Sequence, residues 1–134
     1  MAVPLGRSTL RARPLRIAHV DDDADLRDLV RVALESTADC EVASCASGRE
    51  ALSVIPAFHP DVILVDALMP DMDGLQTLRA LRGRMSLDAV SVVFATGLDD
   101  EDSLRPLRAE CDAVIAKPFD ALTLAGRLVQ LRAR

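Results

Sequence analysis

The run DVILVDALMPDMDG, from Asp61 to Gly74, opens with four apolar residues, Val62, Ile63, Leu64 and Val65, and closes on proline, acids and glycine. An apolar run without polar alternation is what a parallel strand covered on both faces requires, because neither face meets water. Such sheets present ligands at the carboxyl ends of their strands, where Asp66 stands. Asp is also a common cap where a strand exits into a turn. On this stretch alone Asp66 is either a site residue or a turn cap.

Outward from it the same pattern recurs. Upstream, Ile17 to Val20 is a short apolar strand that runs into Asp21, Asp22 and Asp23. Leu26, Leu29, Val30, Ala33 and Leu34 then recur at helical spacing, with Asp25 and Asp28 where a helix dipole favours negative charge. Glu41 to Ala46 mixes polar and apolar residues as an edge strand does. Ser47 with Glu50 predicts a capping box opening a helix through Ile55, ended by Pro56 to Pro60. Downstream, Leu75, Leu78 and Leu81 share a helix face, and Ala89 to Thr96 is a strand ending on a hydroxyl before Gly97. The segment Asp99 to Glu110 is predicted helical, short or bent because Pro106 removes a hydrogen bond. Ala113 to Ala116 is the last strand, ending at Lys117 and Pro118. Asp120 caps a final helix with Leu124, Leu128 and Leu131 on its inner face. Five alternations of strand and helix predict one α/β domain with a parallel sheet and helices on both faces.

Length and composition agree. The 134 residues suffice for one domain with a sizeable core, and 50% hydrophobic with 28% charged residues excludes a disordered chain. The longest apolar runs are strand-sized, so no membrane span is expected, and Met1 to Arg16 lacks the apolar region of a secretory signal. The expected compartment is the cytoplasm. Three cysteines with no C-x-x-C pair favour free thiols, and Cys40, Cys45 and Cys111 read as small buried hydrophobes. The net charge of −5 conceals a leader, residues 1–15, whose Arg7, Arg11 and Arg13, with Arg16 beside them, meet no acid. It reads as a basic arm or a solvated tail, followed by the folded domain at 16–134. The acidic body, without Tyr or Trp, is no nucleic-acid surface.

In a parallel sheet the carboxyl ends share one edge, so Asp21, Asp22, Asp66, Thr96 and Lys117 converge there. Carboxylates this close resist ionisation unless a cation sits among them. Magnesium suits an all-oxygen set, whereas zinc would want His or Cys. With a metal and a lysine to neutralise an incoming dianion, Asp66 on the central strand can attack phosphorus and form an aspartyl phosphate. Lys117, the only lysine among 16 basic residues, would hold a phosphoryl oxygen, and the Thr96 hydroxyl would donate to another.

VDDD at Val20 to Asp23, DVILVDALMPDMDG, the Ala95–Thr96 pair and KPF at Lys117 to Phe119 together resemble the receiver domain of two-component response regulators, in order and spacing, from Arg16 onward. The resemblance implies a flavodoxin-like, doubly wound five-stranded parallel sheet of order 2-1-3-4-5 with five helices. It implies phosphoryl transfer from a histidine kinase or phosphotransfer protein onto Asp66, with a downstream target or output domain. It also implies Mg²⁺ held by Asp22, Asp66 and the backbone carbonyl of Leu68, assisted by Asp21, and a cis Lys117–Pro118 bond.

Departures from the family pattern matter too. Val114 stands where relatives carry an aromatic residue, Pro106 falls in the fourth helix, and Glu110 replaces a common glycine. These predict an atypical switch that runs through the loop after Thr96 and the fourth helix. Leu68 and Leu98, apolar beside the phosphoryl site, predict slow autodephosphorylation. A receiver acts on itself and is not a turnover enzyme. The alternatives are a degenerate receiver used for docking, which the complete set of five site residues argues against while Val114 leaves it open, and a phosphohydrolase, which Leu68 disfavours by occupying the acid/base position. His19 reads as a satisfied core or rim histidine and His59 as part of a turn. Leu122 and Val129 fall off the inner stripe of the last helix, as an exposed patch for a partner or second copy would.

Overall fold

The computed structural model describes residues 13–37 and 39–133. The expected basic leader therefore lies outside the described residues, except for its last three positions. The elements are β1 (Leu15–Val20), α1 (Ala24–Thr37), β2 (Cys40–Cys45), α2 (Gly48–Phe58) and β3 (Val62–Asp66), then α3 (Gly74–Arg82), β4 (Ser91–Thr96), α4 (Glu101–Arg108), β5 (Ala113–Ala116) and α5 (Ala121–Ala133). The five strands pair in parallel in the order β2-β1-β3-β4-β5, the flavodoxin-like arrangement expected.

The register sends alternate side chains of each strand to opposite faces. On one face, Ile63 and Val65 of β3 join Phe94 and the inner residues of α2, α3 and α4, among them Ile55, Leu78 and Leu104. On the other, Val62 and Leu64 join Ile17 and the stripes of α1 and α5, including Val30, Leu34, Leu124 and Leu128. Every residue of β3 is buried, which is why its sequence shows no alternation. The chain winds outward to β2, then crosses to the other side of β1 for β3. The crevice at the carboxyl ends of β1 and β3 is the place where such a sheet binds ligands.

Several expected boundaries move. β1 begins at Leu15 and β4 at Ser91, since pairing with neighbours, not hydrophobicity alone, defines a strand's ends. α2 runs past Pro56 to Phe58. The proline lies in the last turn, where it forfeits one bond, to the Leu52 carbonyl, and that oxygen accepts from Arg84 Nη1 at 3.4 Å instead. The helix closes at His59, in the left-handed region with φ 56°. Its capping box is only half made: Ser47 Oγ accepts from the Glu50 amide, while the Glu50 carboxylate takes the Ala46 amide rather than that of Ser47. The complete box is on α3, between Asp73 and Gln76. α4 is short, eight residues with Pro106 inside.

Three side-chain expectations are corrected. Leu29 is 55% exposed, because α1 covers only the sheet and α5, and a stripe through Leu26, Val30, Ala33 and Leu34 already does so. Cys45 is buried, but Cys40 and Cys111 are only half-buried, as edge and loop positions dictate. His19 is in the core as expected, yet it is not satisfied: among the described residues its Nδ1 has no hydrogen-bond partner. The patch on α5 is present, with Leu122 and Val129 exposed.

Candidate functional site

Asp21 directly follows β1, and its amide continues the pairing with β2 by donating to the Cys45 carbonyl at 3.0 Å. That bond carries the strand geometry one residue further and buries the side chain. Asp21 Oδ1 accepts from the Asp23 amide at 2.9 Å, and Asp23 Oδ1 in turn accepts from the Asp25 and Leu26 amides. Asp23 thus caps α1, so the three consecutive acids divide between a strand end, an exposed Asp22 and a helix cap.

Asp66 ends β3 and is buried, with Oδ1 accepting from the Leu68 amide at 3.2 Å. The loop beyond it returns at once to α3, where the Gly74 amide donates to the Ala67 carbonyl at 3.0 Å. A Cβ on Gly74 would lie 2.5 Å from the Asp66 carbonyl oxygen, so only glycine permits this approach.

Lys117 follows β5, its amide donating to the Thr96 carbonyl at 2.9 Å, and the Lys117–Pro118 bond is cis. Its Nζ donates to Asp21 Oδ2 at 2.8 Å and lies 3.3 Å from Asp66 Oδ2. Thr96, buried at the end of β4, accepts the Leu98 amide on Oγ1 at 3.0 Å, a bond that leaves the hydroxyl proton unused. Asp21, Asp22 and Asp66 each offer a carboxylate oxygen within 4.8 Å of the others. The structure therefore brings the expected set together at one edge of the sheet. Leu68 is joined to it through its amide, and its side chain is 57% exposed. Val114 lies half-buried on β5 against the face of α2 to α4.

The electrostatics are those of a site short of positive charge. Burial raises the pKa of Asp66, and the Asp21 charge adds to this, while the Leu68 amide and Lys117 act against it. Burial alone would lower Lys117, but the hydrogen bond and charge of Asp21, with Asp66 behind them, carry it upward. One lysine against three carboxylates leaves excess negative charge among oxygen ligands, a donor set that fits a hard divalent cation. The imidazole of His19 is buried, with Nε2 3.8 Å from Asp21 Oδ2.

Sequence reasoning missed Arg27, whose Nη1 donates to the Asp21 carbonyl at 2.7 Å. A signal was present, because Arg27 precedes Val30 and Leu34 at helical spacing and so falls on the inner stripe of α1. The Asp73 cap of α3 was likewise readable as D-x-x-Q.

Known proteins share this fold and much of this sequence. Residues 17–129 match the sequence model of the response regulator receiver domain. Response regulator Rre1 of Synechocystis is 32% identical over 92% of this chain and 54% of its own length. The transcriptional regulatory protein TrcR of Mycobacterium tuberculosis is 37% identical over 86% of this chain and 44% of its own length. Among solved structures, the Vibrio cholerae chemotaxis protein CheY4 superposes with a TM-score of 0.80 at 27% identity, covering 87% of this chain and 98% of that one. The DrrB receiver domain activated by BeF3 gives 0.76 at 28% identity, covering 90% and 99%. The chain belongs to the receiver domain family of two-component response regulators. It spans about half the length of these curated relatives. Receivers of this family typically take Mg²⁺ at an acidic pocket such as this one.

Proposed function

We propose that this chain is the phosphoacceptor of a two-component phosphorelay, with Asp66 as the residue phosphorylated. The observation that carries this is Lys117 Nζ set between Asp21 and Asp66 inside a cluster of carboxylates. A carboxylate oxygen of Asp66 attacks the phosphorus of a phosphohistidine on a sensor kinase or phosphotransfer protein. The O–P bond forms as the P–N bond breaks, and the imidazole leaves and takes up a proton. Asp66 must be ionised to attack, and the neighbouring ammonium opposes the upward pull of burial. Lys117 binds a phosphoryl oxygen as a point charge, and the free proton of the Thr96 hydroxyl is available to another. Asp21, Asp22, Asp66 and the Leu68 carbonyl are the groups that would hold Mg²⁺. When bound, that ion neutralises the charge of the phosphoryl oxygens.

The exposed Leu68 stands where a phosphohydrolase would place an acid/base, so turnover of an external substrate is not part of this reading. A downstream protein or output domain reads the phosphorylated state through the segment after Thr96, since Val114 cannot supply a rotating aromatic ring. Incubation with acetyl phosphate and Mg²⁺ should add one phosphoryl mass to the intact protein. Asp66→Asn and excess EDTA should each abolish the adduct. An adduct that survives Asp66→Asn removes Asp66 from the mechanism.

A further inference from the structure

The two acids of the β1–α1 loop that enter the carboxylate cluster are held very differently. Asp21 is fixed at each polar group: its amide on Cys45, Oδ1 on the Asp23 amide, Oδ2 on Lys117, and its carbonyl on Arg27 Nη1 at 2.7 Å. Asp22 is exposed, and among the described residues no donor reaches its carboxylate. What orients Asp22 is the peptide that precedes it. Because a peptide unit is planar, a guanidinium gripping the Asp21 carbonyl also sets the direction of the Asp22 N–H and the placement of its Cα. Arg27 is well based for this, since its own amide donates to the Asp23 carbonyl at 3.0 Å and its side chain leaves the inner side of α1. A charged donor makes this bond stronger than a neutral one.

We propose that Arg27 is a positioning residue for the divalent cation: by holding the Asp21–Asp22 peptide it turns the otherwise untethered Asp22 carboxylate toward Asp21 and Asp66. This rests on the reading of the cluster as a Mg²⁺-dependent phosphoacceptor site. It predicts a sign that simple electrostatics would reverse. Arg27 is itself a cation close to the cluster, so deleting its charge alone should tighten binding of a metal ion. Deleting its hold on the peptide should loosen it.

The test is a titration of unphosphorylated protein with Mn²⁺ followed by electron paramagnetic resonance, with thermal midpoints in EDTA to separate fold from site. Arg27→Met keeps the apolar stem and loses the donor. Its Mn²⁺ dissociation constant should rise roughly 10-fold or more, as loss of partners outside the ligand shell commonly costs. Arg27→Lys should recover part of the affinity. If Arg27→Met does not fold in EDTA, Arg27→Gln carries the same expectation. A folded variant that binds Mn²⁺ as tightly as wild type, or tighter, overturns the proposal. Asp22→Asn separates the two layers: if it loses Mn²⁺ while Arg27→Met does not, the cation site stands and the role of Arg27 falls. If wild type itself binds no Mn²⁺, the underlying reading falls and takes this inference with it.

Discussion

His19 combines burial, an Nδ1 without a hydrogen-bond partner among the described residues and a pKa that burial lowers to about 4, with the Asp21 charge only partly opposing. The folded chain keeps the imidazole neutral, whereas the unfolded chain protonates it near 6.5. Between those values the unfolded state binds more protons, so stability is lost as pH falls through the window, by about 3 kcal/mol over its whole width. Asp66 acts in the opposite sense: its raised pKa favours the folded state in acid and loses that contribution as pH rises. Urea denaturation at pH 7 and pH 4.5 in an Asp66→Asn background isolates the histidine. His19→Leu should flatten the loss, and parallel losses in both proteins would refute the assignment. A second prediction at this scale concerns phosphoryl lifetime. Leu68 stands exposed beside Asp66, and Leu98 is fixed through its amide to Thr96 Oγ1. Apolar groups there hinder an attacking water, so Leu68→Asn with Leu98→Glu should shorten the lifetime of the adduct after acetyl phosphate is removed. A lifetime unchanged or longer by intact mass would count against it.

Among the elements, α5 contains Gly126 in mid-helix, where an added Cβ would meet nothing within 4 Å. Glycine there is an avoidable entropic cost, and Gly126→Ala should add about 0.5–1 kcal/mol to unfolding free energy in urea. A loss instead would mean that this exposed face needs the space. Existence and type of every element were legible in the sequence, because short apolar runs closed by polar residues mark buried strands, helical spacing marks most of the helices, and α4 follows from its place in the alternation. Ends were less so. Pro56, read as ending α2, lies within it, its vacated carbonyl taken by Arg84, and no local rule foresees such a remote donor. Leu29 read as core because spacing alone does not reveal how wide a neighbour α5 is.

At the level of the whole molecule, three features bear on the proposed output switch. Val114 is stiff at χ1, α4 is short, and Glu110 is clasped by Arg79 and Arg82 of α3. That clasp ties the far end of α4 to α3, which leaves the stretch from Gly97 into α4 as the mobile candidate. A structure with beryllofluoride and Mg²⁺ should therefore move Gly97–Leu104 relative to the unmodified protein while Val114 keeps its rotamer. If the segment stays in place, output takes another route.

The sequence by itself determined the alternation of strands and helices, the burial of β3 on both faces and the chemistry waiting at each strand end. Those properties follow from neighbours along the chain and from side-chain type. Only the tertiary structure decided that Lys117 reaches Asp21 across 96 positions, that Arg27 grips a backbone carbonyl, and that His19 Nδ1 has no hydrogen-bond partner among the described residues. Each depends on which groups distant elements bring into the same few ångströms, and sheet order and register set that distance.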